Sequence, residues 1–200
     1  MARGTYDLHL AQDSAADALL SRDPLALLVG MLLDQQVPME WAFGAPRILA
    51  ERLGGDRLDA AEIATYDPDK FASLASTTPA IHRFPGSMAK RIQQLCTFLV
   101  EQYDGDASAV WTSAESGRDL QKRLTALPGF GKQKAQIFAA LLGKQLDVRP
   151  EGWREAAGPY GEDGVHRSVA DIRDEASLAA VREHKKEQKR AASAAKGPEG

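Results

Sequence analysis

The residues with the clearest chemical potential lie in one stretch, Leu127-Pro128-Gly129-Phe130-Gly131-Lys132-Gln133-Lys134-Ala135. Two glycines flanking one apolar residue make a tight hairpin that turns backbone N–H groups outward at the start of the next helix. Those N–H groups, with the partial positive charge of a helix N-terminus, form an anion site. The absence of side chains at Gly129 and Gly131 lets a phosphate approach the backbone closely. Phe130 is expected to plug the hairpin into the core, Pro128 to stiffen its entry, and Lys132 and Lys134 to add charge beside the same phosphate. Gly-x-Gly alone also occurs in ordinary interhelical turns; the longer pattern, Leu-Pro-Gly-apolar-Gly-basic between two helices, favours the anion site.

Helices must position that hairpin. Over 24–36 the apolar residues Leu25, Leu28, Val29, Leu32 and Leu33 recur at the spacing of one helical face, with Asp23 as cap and Pro24 in the first turn. Similar patterns predict helices over 38–53, ended by Gly54-Gly55, and over 88–103, 117–126 and 131–142, with another short one starting at Asp67-Pro68. No alternating β-branched runs joined by a hairpin turn are present, so the expected fold is all-α. Residues 148–174 read as an ordered loop held by Trp153 and Tyr160. The expected division is one helical domain over 1–176 and a C-terminal helix with a basic tail over 177–200.

Composition bounds the function. The chain has 200 residues, 44% of them hydrophobic, enough for one domain with a real core. No apolar run is long enough to span a bilayer and the N-terminal residues lack a secretory signal, so no membrane partner and a cytoplasmic location are expected. The single Cys96 excludes an internal disulfide and a cysteine-held cluster, and reads as a buried apolar side chain. His9, His82, His166 and His184 are isolated in sequence, so no metal and no cofactor is expected. Net charge is −3, but residues 1–80 carry 6 Lys/Arg against 12 Asp/Glu, whereas residues 81–150 carry 10 against 6. An overall acidic chain thus keeps a basic region around the hairpin.

The 127–135 segment resembles the helix-hairpin-helix of the HhH-GPD superfamily of DNA glycosylases. The run from Leu27 to Gln36 is similar to that family's early helix, whose terminal glutamine sits where DNA is opened, and 88–103 with Asp104-Gly105-Asp106 resembles the long helix before the hairpin. The resemblance spans roughly residues 24–153 and is nearest to a compact, actinobacterial-type branch without an iron–sulfur cluster. It implies a two-lobed helical fold that flips a damaged or mispaired nucleotide out of double-stranded DNA. By resemblance Gly129, Gly131, Lys132, Lys134 and Arg83 hold DNA, while Gln36, with Gln35 beside it, fills the vacated space. His82, Phe84 and Trp41 line the base pocket, the aromatics stacking on the extruded base. The protein is expected to act as a monomer, associated with the nucleoid.

Two departures shape the chemistry. Bifunctional members carry a nucleophilic lysine two residues after the second hairpin glycine; here that residue is Gln133, and Lys134 lies about 100° around the helix. The resemblance therefore implies a monofunctional N-glycosylase, without the Schiff-base lyase step, acting on a damaged and, as a first choice, alkylated base. The family's essential aspartate has no direct counterpart in Leu146-Asp147-Val148-Arg149-Pro150-Glu151-Gly152-Trp153. Counting without gaps from Gln133 reaches Glu151, the expected catalytic carboxylate. Alignment on Val148 reaches Arg149 instead, and Asp147 is a third choice. A non-catalytic lesion- or structure-specific DNA-binding protein on the same scaffold is the alternative, and a protein-interaction module a more distant one.

Overall fold

A computed structural model describes residues 6–195. Eleven α-helices appear among them, in order α1 (Ser14–Arg22), α2 (Pro24–Leu33), α3 (Met39–Arg52), α4 (Ala60–Thr65), α5 (Pro68–Ser76), α6 (Pro85–Tyr103), α7 (Ala109–Thr112), α8 (Gly117–Ala126), α9 (Lys132–Gln145), α10 (Trp153–Ala157) and α11 (Glu175–Ala195). Two 3-10 turns, Gly158–Tyr160 and Val169–Asp171, lie between α10 and α11, and no strand occurs among the described residues. The all-α expectation holds. Asp, the recurrent cap, starts four of these helices: Asp13, Asp23, Asp59 and Asp67 each accept a first-turn N–H.

The helices gather in two groups. α3 packs on α1 and α2, and α6 on α4 and α5, while α8, α9 and α10 pack on one another. One continuous set of buried apolar residues joins the groups. At its centre, α2 departs from the one-sided face that its spacing suggests: every residue from Leu25 to Leu33 is buried. A helix apolar all round belongs inside a molecule rather than on its surface. Its close neighbours are built for contact, since a Cβ on Gly30 would stand 2.6 Å from the Phe43 ring of α3.

Residues 148–174 are more regular than a loop, holding α10 and both 3-10 turns. Trp153 is buried as expected, its ring lying where a Cβ on Gly143 would come within 2.2 Å. Near the C-terminus, Lys144 and Asp171 form a buried ion pair at 2.5 Å, and Gln145 Nε2 donates to the carbonyls of Ala170 and Ile172. These contacts fix the 3-10 turn on which α11 docks through Leu178 and Val181. The C-terminal helix begins at Glu175, two residues before the expected boundary.

Candidate nucleic-acid interface

The hairpin has the form its residues demand. Leu127 and Phe130 are buried, and the Phe130 N–H closes the turn on the Leu127 carbonyl at 3.0 Å. Gly129 adopts φ +82°, and a Cβ there would stand 2.3 Å from Leu32 Cδ1, so both conformation and the close approach to α2 require glycine. Around Gly131 nothing lies within 4 Å of where a Cβ would be, leaving the backbone open on that side. No side chain caps α9, so the N–H groups of its first turn are left for an external acceptor, with the exposed Lys132 beside them.

The end of α2 supplies the second half of the site. Gln35 is half-buried, its Nε2 donating to the Leu32 carbonyl and meeting Met88 Sδ at 3.4 Å. Gln36, by contrast, is exposed and held in the left-handed region at φ 58°. A non-glycine residue there costs about 1–2 kcal/mol, a kind of strain concentrated at functional positions. The two sequence candidates thus separate: Gln35 packs, and Gln36 projects.

His82 connects this turn to α6. Its Nδ1 accepts the Phe84 N–H at 3.0 Å, so the proton resides on Nε2, which donates to the Gln35 carbonyl at 2.9 Å. With 1% exposure and both nitrogens engaged, His82 holds the loop and presents no edge to a base, contrary to its expected place in the pocket lining. Trp41 and Phe84 flank it, ring centroids 6.5 and 6.1 Å away. Among the described residues these two are the large hydrophobic side chains left exposed, at 38% and 46%. Trp41 is oriented by its Nε1 donating to the Ala80 carbonyl at 2.8 Å, and the exposed Arg83 guanidinium lies 5.5 Å from the Phe84 ring centre.

Lys134 turns inward and does not join Lys132 at the phosphate site. Its Nζ donates to the Leu32 carbonyl at 2.9 Å and lies 5.9 Å from the centre of the Phe130 ring. Burial brings the ammonium down to about 8, against the opposing pull of Asp34. The lysine therefore ties α9 to the C-terminal end of α2, where a positive charge is favoured. Burial also raises the Asp34 carboxyl above the usual carboxylate range, while Lys185 and Lys134 favour its ionised form. Sequence reasoning gave Asp34 no role, although it stands two residues before Gln36.

Glu151, the expected catalytic carboxylate, lies away from the hairpin. Its carbonyl accepts the N–H of Gly117, the first residue of α8, at 2.7 Å, whereas the hairpin comes after the last residue of that helix. Ten residues of α-helix separate the two ends by about 15 Å. Arg149 Nε donates to the Gly143 carbonyl near the far end of α9, and Asp147 is exposed and within 3.3 Å of Arg149 Nε. All three candidates from this stretch thus gather away from the hairpin. The residue that returns to it is Tyr160, whose hydroxyl accepts from Gln133 Nε2 at 2.8 Å; no spacing in the sequence marks that contact.

A groove of about 950 Å³ runs between α1 and α7 and is lined by Asp7, Asp13, Asp17 and Asp106 as well as Leu27 and Trp111. Its carboxylates oppose a phosphate backbone, so the hairpin and the end of α2 remain the better candidate. No helix among the described residues is long and apolar enough to cross a membrane. A family model described as HhH-GPD superfamily base excision DNA repair protein matches residues 29–195. No curated protein and no solved structure matches.

Proposed function

The chain belongs to the HhH-GPD superfamily of base excision DNA repair proteins, and on that premise we propose that it is a monofunctional DNA N-glycosylase acting on a damaged or mispaired base. The N–H groups after Gly129 and Gly131 anchor one phosphate, with Lys132 adding charge. Gln36 enters the base stack where a nucleotide leaves it, and Trp41 and Phe84 offer exposed aromatic faces to the extruded base or its neighbour. The observation that carries this reading is Gln36, strained and exposed in the turn that follows a buried helix, α2, which also touches the hairpin.

Hydrolysis needs a carboxylate near the sugar to stabilise positive charge at the anomeric carbon and orient water. We assign that role to Asp34 rather than Glu151, because it stands two residues before Gln36 and because Lys185 and Lys134 offset part of the burial that raises its carboxyl. With Gln133 where a nucleophilic lysine would stand, water is the attacking group: its oxygen bonds to the anomeric carbon as the C–N bond breaks, the base departs with the bonding pair, and one water proton passes to the Asp34 carboxylate. An alkylated purine, already a good leaving group, suits a site without a strong acid. A DNA partner of this kind would keep a monomeric protein at the nucleoid.

The test is single-turnover excision across duplexes bearing alkylated, deaminated and oxidised bases. Wild type and Glu151→Gln are expected to release the same base, and Asp34→Asn to release none while still binding. Release by Asp34→Asn at the wild-type rate would remove Asp34 from the mechanism. Salt-sensitive binding without release from any duplex would favour a second reading, a non-catalytic lesion-binding protein, which the remoteness of Glu151 supports.

A further inference from the structure

The hairpin and wedge leave the longest helix without a part. α11 docks through its first turns, but from Arg182 to Ala195 every residue except His184 is exposed. Such a segment draws no stability from a core; its Ala, Lys, Glu, Gln and Arg content supports it as a helix. Its charges are sorted by side. Arg182, Lys185, Lys186, Lys189 and Arg190 recur at i, i+3, i+4, i+7 and i+8, an arc of about 140°, and Glu183 and Glu187 fall outside it.

That basic face starts at the candidate site. Arg182 pairs with Glu40, the neighbour of Trp41 on the first turn of α3, and Lys185 lies near enough to Asp34 for its charge to act on that carboxyl. Beyond Lys185 the helix continues for ten residues, about 15 Å. Lys189 and Arg190 form no ion pair among the described residues, and Lys186 meets only Glu183 of its own helix, at 3.8 Å. Five cations on one side of a helix, in a chain of net charge −3, complement a polyanion.

We propose that the basic face of α11 is a second DNA-backbone contact, separate from the hairpin, that grips phosphates flanking the point where Gln36 enters the duplex. The inference rests on the DNA reading above and adds to it a second anchor on an element the hairpin does not control. Phosphate contacts fix register and supply affinity without reading sequence, so this face raises binding to all duplexes alike.

The experiment is equilibrium binding of the full chain to an undamaged duplex over a salt series, comparing wild type, Lys132→Glu, the triple variant Lys186→Ala, Lys189→Ala, Arg190→Ala, and a charge-conserving triple Lys186→Arg, Lys189→Arg, Arg190→Lys. The alanine triple is expected to bind all sequences more weakly and to flatten the plot of log affinity against log salt by about 2.7, or about 0.9 for each of three phosphates. The charge-conserving triple should keep the wild-type slope, which separates lost charge from lost helix. An alanine triple with wild-type slope and affinity, alongside a Lys132→Glu protein that has lost both, would overturn the inference and leave the DNA reading standing. A wild type without salt-dependent duplex binding would overturn both.

Discussion

Single residues hold the clearest trade between stability and function. Gln36 is strained at φ 58° with its side chain in solvent, so glycine at this position removes the strain while adding freedom to the unfolded chain. Gln36→Gly is therefore expected to unfold in urea within about 1 kcal/mol of wild type yet to lose excision at least tenfold; equal excision would show that the strain serves something other than the wedge. Lys134 makes a different statement through pH. Burial holds its ammonium at about 8, below the ordinary 10.5, so between those values the unfolded chain keeps a proton the native state lacks. Native stability then rises with pH across that window, and the full cost of the buried charge is present below it. Comparing urea unfolding of wild type and Lys134→Met at about pH 7.5 and about pH 10 should show the wild type gaining relative to the variant at the higher pH; parallel changes would place the ammonium in water.

Helices and turns explain which parts of this molecule could be read before its structure. The hairpin was legible because its requirements are local: a left-handed Gly129, an open Gly131 and an apolar plug at Phe130. α2 was legible as a helix but not as a central one, since a spacing pattern reports one apolar face and cannot show that α1 and α3 cover the others. A count along the chain could not show where Glu151 lies, because it assumes that the segment after α9 comes straight back to the hairpin. Instead α9 runs on to Gln145, and small residues dock α10 and the turn before it near that far end. A Cβ on Gly117 would lie 2.0 Å from the Gly152 carbonyl oxygen, and one on Gly143 would lie 2.2 Å from the Trp153 ring. Because an indole cannot flex aside, Gly143→Ala is expected to cost about 1–3 kcal/mol by overpacking and to alter Trp153 fluorescence. A variant with native stability and spectrum would mean that α10 rides loosely on α9.

At the scale of the whole molecule, the proposed anchor and wedge sit on different groups of helices, and base extrusion by them would require their separation to be fixed. The hairpin joins α8 to α9, whereas Gln36 stands in the turn after α2, yet one residue serves both. Leu32 is fully buried, its Cδ1 lies against Gly129, and its carbonyl receives Lys134. A hinge between the groups would let the hairpin hold DNA while Gln36 missed the stack; a shared core forbids that motion by making separation equivalent to unfolding. The consequence is measurable, because Trp41 reports on one group and Trp111 and Trp153 on the other. Leu32→Ala is expected to cost about 2–5 kcal/mol while preserving a single transition that coincides in tryptophan fluorescence and far-ultraviolet circular dichroism. Since the Gly129 turn and Lys132 are retained, its duplex binding should fall less than its excision. Two resolved transitions in this variant, or in the wild type, would show that α2 does not unite the groups, and the positional coupling between phosphate anchor and wedge would then have to come from the DNA itself.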